Sequence, residues 1–188
     1  MLSPAEKREL LDIAWKSVRR TVQGNAHGPI KAPRQSINTE SMLWQPAGAF
    51  VSLYRHGELR GCLGLIVSEA PLAETVSQLA GRTATEDPRF PAVTPGELDG
   101  LRIEISILSP LKEISAIEEI QVGKHGLFIV AGMYRGLLLP QVAVKHRWNV
   151  TRFLEETCIK AGLPPDQWKH AETAIYTFTA EIIEQETK

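Results

Sequence analysis

Apolar residues recur at helical spacing near the start of the chain. Leu10, Leu11, Ala14, Trp15 and Val18 fall on one stripe of "SPAEKRELLDIAWKSVRRTVQ". Ser3 is placed to cap this predicted helix, and Pro4 suits its first turn. "GNAHGPIKAPRQSINTES" then reads as a surface loop. The period changes to two in "AFVSLYRHGELRGCLGLI", which predicts a β-hairpin over 49–56 and 59–66, turning at His56-Gly57. A two-residue turn sets Arg55 opposite Glu58, Leu53 opposite Arg60 and Val51 opposite Cys62. On that register Glu58, Arg60 and Cys62 share one face, and Leu59, Leu63 and Leu65 share the other.

"APLAETVSQLAGRTATED" reads as a second helix, and the proline-punctuated "PRFPAVTPGELDG" as an irregular connection. "LRIEISILS" alternates, with Ile103, Ile105 and Ile107 on one side, which predicts a half-buried strand. "HGLFIVAGMYRGLLLPQ" reads as another hairpin turning near Gly132 to Gly136. "NVTRFLEETCIKAGL" is a helix capped by Asn149 and stopped by Gly162, and "AIYTFTAEII" is a closing strand. Hairpins and helices without a βαβ rhythm predict an α+β protein with antiparallel sheet.

Composition narrows the function classes. The 188 residues are 43% hydrophobic and 23% charged, which suits one domain or two small lobes with a buried core. Twenty-one basic against 22 acidic side chains leave a net charge of -1 with no long block of like charge, so nucleic acid is not an expected partner. "MLSPAEKRELLDIAWKSVRR" lacks a signal-peptide core, and no apolar run is long enough to span a bilayer. The expectation is a cytoplasmic protein that does not engage a membrane. Its two cysteines, Cys62 and Cys158, are then reduced and lack zinc spacing. The five histidines are scattered, so no metal site is expected.

"LRGCLG" at 59–64 carries a resemblance. With "EDPRFP" at 86–91, "EISILS" at 104–109, "GKHGL" at 123–127, "LLPQVA" at 138–143 and "CIKAGL" at 158–163, the chain resembles the AMMECR family. The family is named for the Alport syndrome, mental retardation, midface hypoplasia and elliptocytosis chromosomal region. Its signature LRGC(I/L)G is met here without departure. The resemblance implies that residues 1–188 form one AMMECR-type domain. It would have two unequal α+β lobes, each with an antiparallel sheet flanked by helices. The larger lobe would contain both termini, the smaller would be inserted, and the signature would lie beside a groove between them. It also implies membership of the AmmeMemoRadiSam system. There the partners are a Memo-like protein, itself related to non-haem iron dioxygenases, and a radical SAM protein, in a shared pathway modifying a protein or small molecule. The chain lacks the CxxxCxxC arrangement of a radical SAM protein, and no cofactor is expected on it.

The candidate chemistry centres on the signature. Cys62 is the candidate nucleophile, because a thiolate is the reactive form and a neighbouring guanidinium would stabilise it. The alternative is a small buried hydrophobe. Arg60 could clamp a carboxylate or phosphate bidentately, or form a salt bridge to Glu58, Glu97 or Glu104. His125 could serve as acid or base, or cap a backbone carbonyl. Cys62, Arg60 and His125 are therefore the catalytic candidates. Glu58, Gly61, Gly64, Arg89, Glu104 and Gln141 are the ligand-binding candidates. The alternative for Gly61 and Gly64 is close backbone packing, since no GxGxxG or P-loop pattern is present, and Asp87 with Arg89 could form a turn held by a local ion pair. Two functions follow: an enzyme acting on an unidentified protein or small-molecule substrate, or a non-catalytic protein-binding or scaffold module.

Overall fold

In the computed structural model, which describes residues 1–24 and 41–185, the helical and alternating stretches fold as separate elements. In chain order they are α1 (Pro4–Val22), β1 (Ala49–Arg55), β2 (Glu58–Leu65), α2 (Leu72–Thr85), β3 (Leu101–Leu108) and β4 (Lys112–Glu113). There follow β5 (Gly126–Ala131), β6 (Tyr134–Leu138), α3 (Pro140–Lys145), α4 (Val150–Lys160), β7 (Ala174–Phe178) and β8 (Ala180–Glu184). Residues 25–40, most of the expected surface loop, lie outside the described residues. The class is α+β. The chain divides into two units: Met1–Leu108 with Glu181–Lys188, and Ser109–Ala180.

In the first unit the sheet order is β2-β1-β3-β8. α1 starts where Ser3 and Glu6 exchange hydrogen bonds: Glu6 N–H donates to Ser3 Oγ at 3.3 Å, and Ser3 N–H donates to the Glu6 carboxylate at 2.7 Å. The apolar stripe of α1, with Leu10, Ile13, Ala14 and Val18, joins Leu72, Val76, Leu79 and Ala80 of α2 in one core. The sheet contributes Val51, Leu53, Ile103 and Ile105 to it. The helices approach closely at Gly81, where a Cβ would stand 2.7 Å from Thr21 Oγ1 and 3.0 Å from Ser17 Oγ.

The β1–β2 turn falls at His56-Gly57, both with positive φ (53° and 83°), as a two-residue hairpin matched to strand twist requires. Beyond it the register departs from simple alternation. Leu59 faces Tyr54, but Gly61 faces Leu53, so Arg60 is an extra residue in a β-bulge. The bulge moves Cys62 opposite Ser52 and Leu63 opposite Val51. Leu59 therefore shares the Ser52–Tyr54 face with Cys62, while Leu63 and Leu65 lie on the core face with Gly61. The expected sharing of one face by Glu58, Arg60 and Cys62 is overturned.

The second unit has the sheet order β4-β7-β5-β6. Its core joins Leu127 and Ile129 to Ala143, Phe153, Leu154 and the fully buried Cys158. α4 begins where Asn149 accepts a hydrogen bond from Arg152 N–H and ends before Gly162 at φ 77°. The expected closing strand is two strands. β7 lies in the second sheet and β8 in the first, with the chain changing sheets at Thr179. Among the described residues no helix is long and apolar enough to cross a membrane.

Candidate functional site

Pairing on both sides of β1 builds three rows on the sheet face opposite the core. Ser52 is flanked by Cys62 and Glu104, Tyr54 by Leu59 and Arg102, and Phe50 by Gly64 and Ser106. The central row, Cys62–Ser52–Glu104, gathers a thiol, a hydroxyl and a carboxyl on three adjacent strands. Ser52 is 7% exposed, and its hydroxyl donates to Cys62 Sγ at 3.3 Å. Burial pushes the Cys62 thiol above its ordinary pKa, with Asp87 and Glu104 adding to the rise and Ser52 and Arg89 opposing it.

Burial likewise raises the Glu104 carboxyl, and the nearby Glu184 charge adds to the effect. The Glu104 carboxyl makes no hydrogen bond among the described residues, and the Arg102 charge opposes the rise. The Tyr54 phenol is also raised, first by burial and then by Glu104 and Cys62. A cleft of about 240 Å³ opens beside this row, lined by Tyr54, Gly57, Arg102, Ile103, Glu104 and Glu184. Arg102 reaches Glu184 at 3.9 Å, so the cation on this wall already has a carboxylate neighbour.

β2 is an edge strand, and a short clamp from the segment after α2 closes its free side at Cys62. Cys62 N–H donates to Asp87 Oδ2 at 2.8 Å, and Arg89 Nη2 donates to Cys62 O at 3.2 Å. Arg89 also grips Asp87 through Nε at 2.9 Å and Nη2 at 2.7 Å. That grip holds the buried Asp87 carboxyl well below the usual carboxylate range. The local ion pair read from the sequence is present, and it also satisfies the backbone of Cys62.

The other candidates separate. Arg60 turns to Glu97 and to the carbonyls of Pro91 and Ala92. It is not the cation beside the thiol; Arg89 is. Glu58 is exposed next to the turn, opposite Arg55. Gly61 faces α2, where a Cβ would stand 2.8 Å from Thr83 O, and Gly64 lies against the Phe50 ring. These two glycines are explained by close packing. His125 and Gln141 belong to the second unit. His125 Nδ1 accepts from Gln121 N–H at 3.2 Å. Burial first, and Lys124 second, push its pKa down. Gln141 sits in the first turn of α3 with its Oε1 buried and unpaired among the described residues.

Ser52 and Tyr54 were missed by sequence reasoning; the available signal was two polar groups alternating with Val51 and Leu53. Among the described residues no group of three or more His, Cys, Asp or Glu is arranged to hold a metal ion. The row presents a neutral thiol, a hydroxyl donor and a carboxyl without a hydrogen bond at the edge of a cleft.

The AMMECR1 family model matches residues 11–183. The chain belongs to the AMMECR1 family. Protein TK0174 of Thermococcus kodakarensis is similar to it at 43% identity over 187 residues, covering 94% of this chain and 89% of that one. Protein MJ0810 of Methanocaldococcus jannaschii is 45% identical over 146 residues, or 73% of each chain. The crystal structure of uncharacterized protein PH0010 from Pyrococcus horikoshii superposes with a TM-score of 0.89 at 38% identity, covering 98% of this chain and 94% of that one. AMMECR1-family membership thus extends over both units, and Leu59 to Gly64 lie on the bulged strand β2.

Proposed function

We propose that this protein is the binding partner in a modification pathway, holding a cationic or N–H-bearing group of its substrate on the Cys62–Ser52–Glu104 face. The observation that carries this reading is the half-buried Glu104, which lines the cleft without a hydrogen-bond partner among the described residues. A partly desolvated carboxyl gains most from a ligand that brings both a donor and a positive charge. Tyr54 supplies a flat apolar wall with a hydroxyl. Cys62, kept as a neutral thiol, lines the face and is not the resting nucleophile. The chemistry then falls to partners, which the family resemblance gives as a Memo-like protein and a radical SAM protein of the AmmeMemoRadiSam system. A cytoplasmic setting fits the reduced cysteines this reading requires.

Calorimetric titration with n-butylamine and propylguanidine, mimics of Lys and Arg side chains, tests the site. Both should bind saturably in the millimolar range and lose about fivefold or more in Glu104→Gln, while Cys62→Ser stays within about twofold. Acetate should not bind. Equal binding of acetate, or full retention in Glu104→Gln, overturns the reading. The pathway is tested by sedimentation of the purified chain with Memo-like and radical SAM proteins from the same source. Absence of any complex removes the partnership.

A further inference from the structure

Glu104 shares its cleft with a second carboxylate. Glu184, on the neighbouring strand β8, lines the same space of about 240 Å³ together with Tyr54, Gly57 and Arg102. The Glu184 charge is near enough to raise both the Glu104 carboxyl and the Tyr54 phenol. Neither carboxylate accepts a hydrogen bond among the described residues. Arg102 Nη2 stands 3.9 Å from Glu184 Oε2. That separation offsets charge but is too long for a hydrogen bond. Both side chains are about half exposed, so the contact is open to exchange.

Two ionised carboxylates and one guanidinium leave this wall one positive charge short, with its acceptor oxygens unfilled. Shape then decides which cation fits. An ammonium is a compact, strongly hydrated point charge whose three donors diverge. A guanidinium is planar, carries five donors in a fixed fork, and stacks on aromatic faces. Carboxylates on two adjacent strands suit the fork, and Tyr54, half-buried and paired across the sheet with Arg102, supplies an aromatic wall. The protein's own guanidinium already stands at this wall, so the group fits there. A cleft of about 240 Å³ is smaller than the roughly 300–1,000 Å³ of sites that enclose a whole small molecule, and suits one side chain. At the Gly57 end a Cβ would meet nothing within 4 Å, which leaves room for the main chain carrying that side chain.

We infer that the cleft takes the guanidinium of an arginine side chain in preference to an ammonium, with Glu184 as the second carboxylate and Tyr54 as the stacking wall. This preference rests on the cation-binding reading of Glu104 proposed above and goes one step beyond it. The incoming guanidinium donates to Glu104 and Glu184, and Arg102 gives up its place beside Glu184. Arg102 is thus a competitor built into the site.

The full chain is titrated calorimetrically with N-acetyl-L-argininamide, N-acetyl-L-lysinamide and the neutral N-acetyl-L-citrullinamide. The arginine ligand should bind about fivefold or more tighter than the lysine ligand, and about tenfold or more tighter than the citrulline ligand. Glu184→Gln should cost the arginine ligand about fivefold and the lysine ligand less than about twofold, which erases the preference. Tyr54→Leu should weaken the arginine ligand about threefold, and Tyr54→Phe should leave it unchanged. Arg102→Gln should tighten the arginine ligand about threefold, a gain that damage to the fold would not produce. Equal affinity for the two cations, still dependent on Glu104, overturns the guanidinium preference and leaves the Glu104 cation site standing. Binding of neither cation overturns both. The preference is also overturned if it survives in Glu184→Gln, if citrulline binds as arginine does, or if Arg102→Gln weakens the arginine ligand.

Discussion

Arg60 meets Glu97 side-on, with Nε 2.9 Å from Oε1 and Nη2 3.2 Å from Oε2. Both side chains are largely buried, at 14% and 13% exposure, and Arg55 reaches the same Oε1 at 3.3 Å. Because Arg60 is the extra residue of the bulge, this pair ties the bulge to the turn over Pro95–Gly100. Removing one partner leaves the other charge half-buried. Arg60→Ala should therefore cost about 2–3 kcal/mol in urea unfolding, and Glu97→Gln a similar amount. The double variant should cost less than the sum, and strict additivity would show that the pair does not couple.

Acid titration of stability should report the same pair. Hydrogen bonding by Arg60, assisted by Thr94 N–H, holds the Glu97 carboxyl at about 2 in the folded protein. A carboxyl whose folded pKa lies below its unfolded value of about 4.3 stabilises the fold above that value and ceases to do so as pH falls through the folded one. Glu6, also held at about 2 by its hydrogen bonds to Ser41 and Ser3, acts in the same direction. The melting temperature should thus fall between about pH 5 and pH 2, and fall less steeply in Glu97→Gln. Parallel curves for wild type and variant would refute the assignment.

The architecture was legible where one local rule acts alone. Ser3, Asn149 and Gly162 mark helix ends because capping needs only near neighbours, and His56-Gly57 marks the turn because few pairs accept positive φ. The face of Cys62 was not legible. A bulge adds one residue to the count of two, and what stabilises it is Glu97, 37 positions from Arg60. The same applies to Asp87, whose local pairing with Arg89 could be read but whose bond to Cys62 N–H spans 25 positions. The switch of sheets at Thr179 was hidden because β7 and β8 both alternate, and no proline or glycine separates them.

Gly61 and Gly64 of β2 should respond differently to alanine. At Gly64 a Cβ would overlap the Phe50 ring, a side chain that can be shortened. At Gly61 it would stand 2.8 Å from Thr83 O and 3.2 Å from Thr83 Cγ2, where α2 itself would have to move. Each substitution should lose about 1–3 kcal/mol in thermal unfolding. Phe50→Leu should recover part of the Gly64→Ala loss and none of the Gly61→Ala loss. Equal recovery at both sites would contradict the packing.

The Asp87 clamp should be visible in hydrogen exchange. With its carboxyl held well below the usual range by Arg89, Asp87 stays ionised and keeps accepting from Cys62 N–H in mild acid. The Cys62 amide should remain protected at pH 4, where ordinary carboxylates are half protonated. Asp87→Ala should speed its exchange at least tenfold relative to the core amides of β1. Exchange at the Cys62 amide that is unchanged in Asp87→Ala would mean the edge is closed by something else.

Thiol labelling separates the roles of Arg60 and Arg89 around Cys62. Burial pushes Cys62 above its ordinary pKa, so at neutral pH little thiolate is available. The iodoacetamide rate against pH should rise with an apparent pKa above the unperturbed value of about 8.5, with Cys158→Ala removing the background. Arg60→Ala should leave that midpoint in place, since the Arg60 guanidinium is spent on Glu97 and on the Pro91 and Ala92 carbonyls. Arg89→Ala should move it further up for two reasons. It removes the positive charge that lowers the thiol pKa, and it leaves the Asp87 carboxylate, which raises it, without its counter-ion. A midpoint below the ordinary cysteine value in wild type would restore the thiolate reading. A shift in Arg60→Ala equal to that in Arg89→Ala would mean the bulge does not separate Arg60 from the thiol.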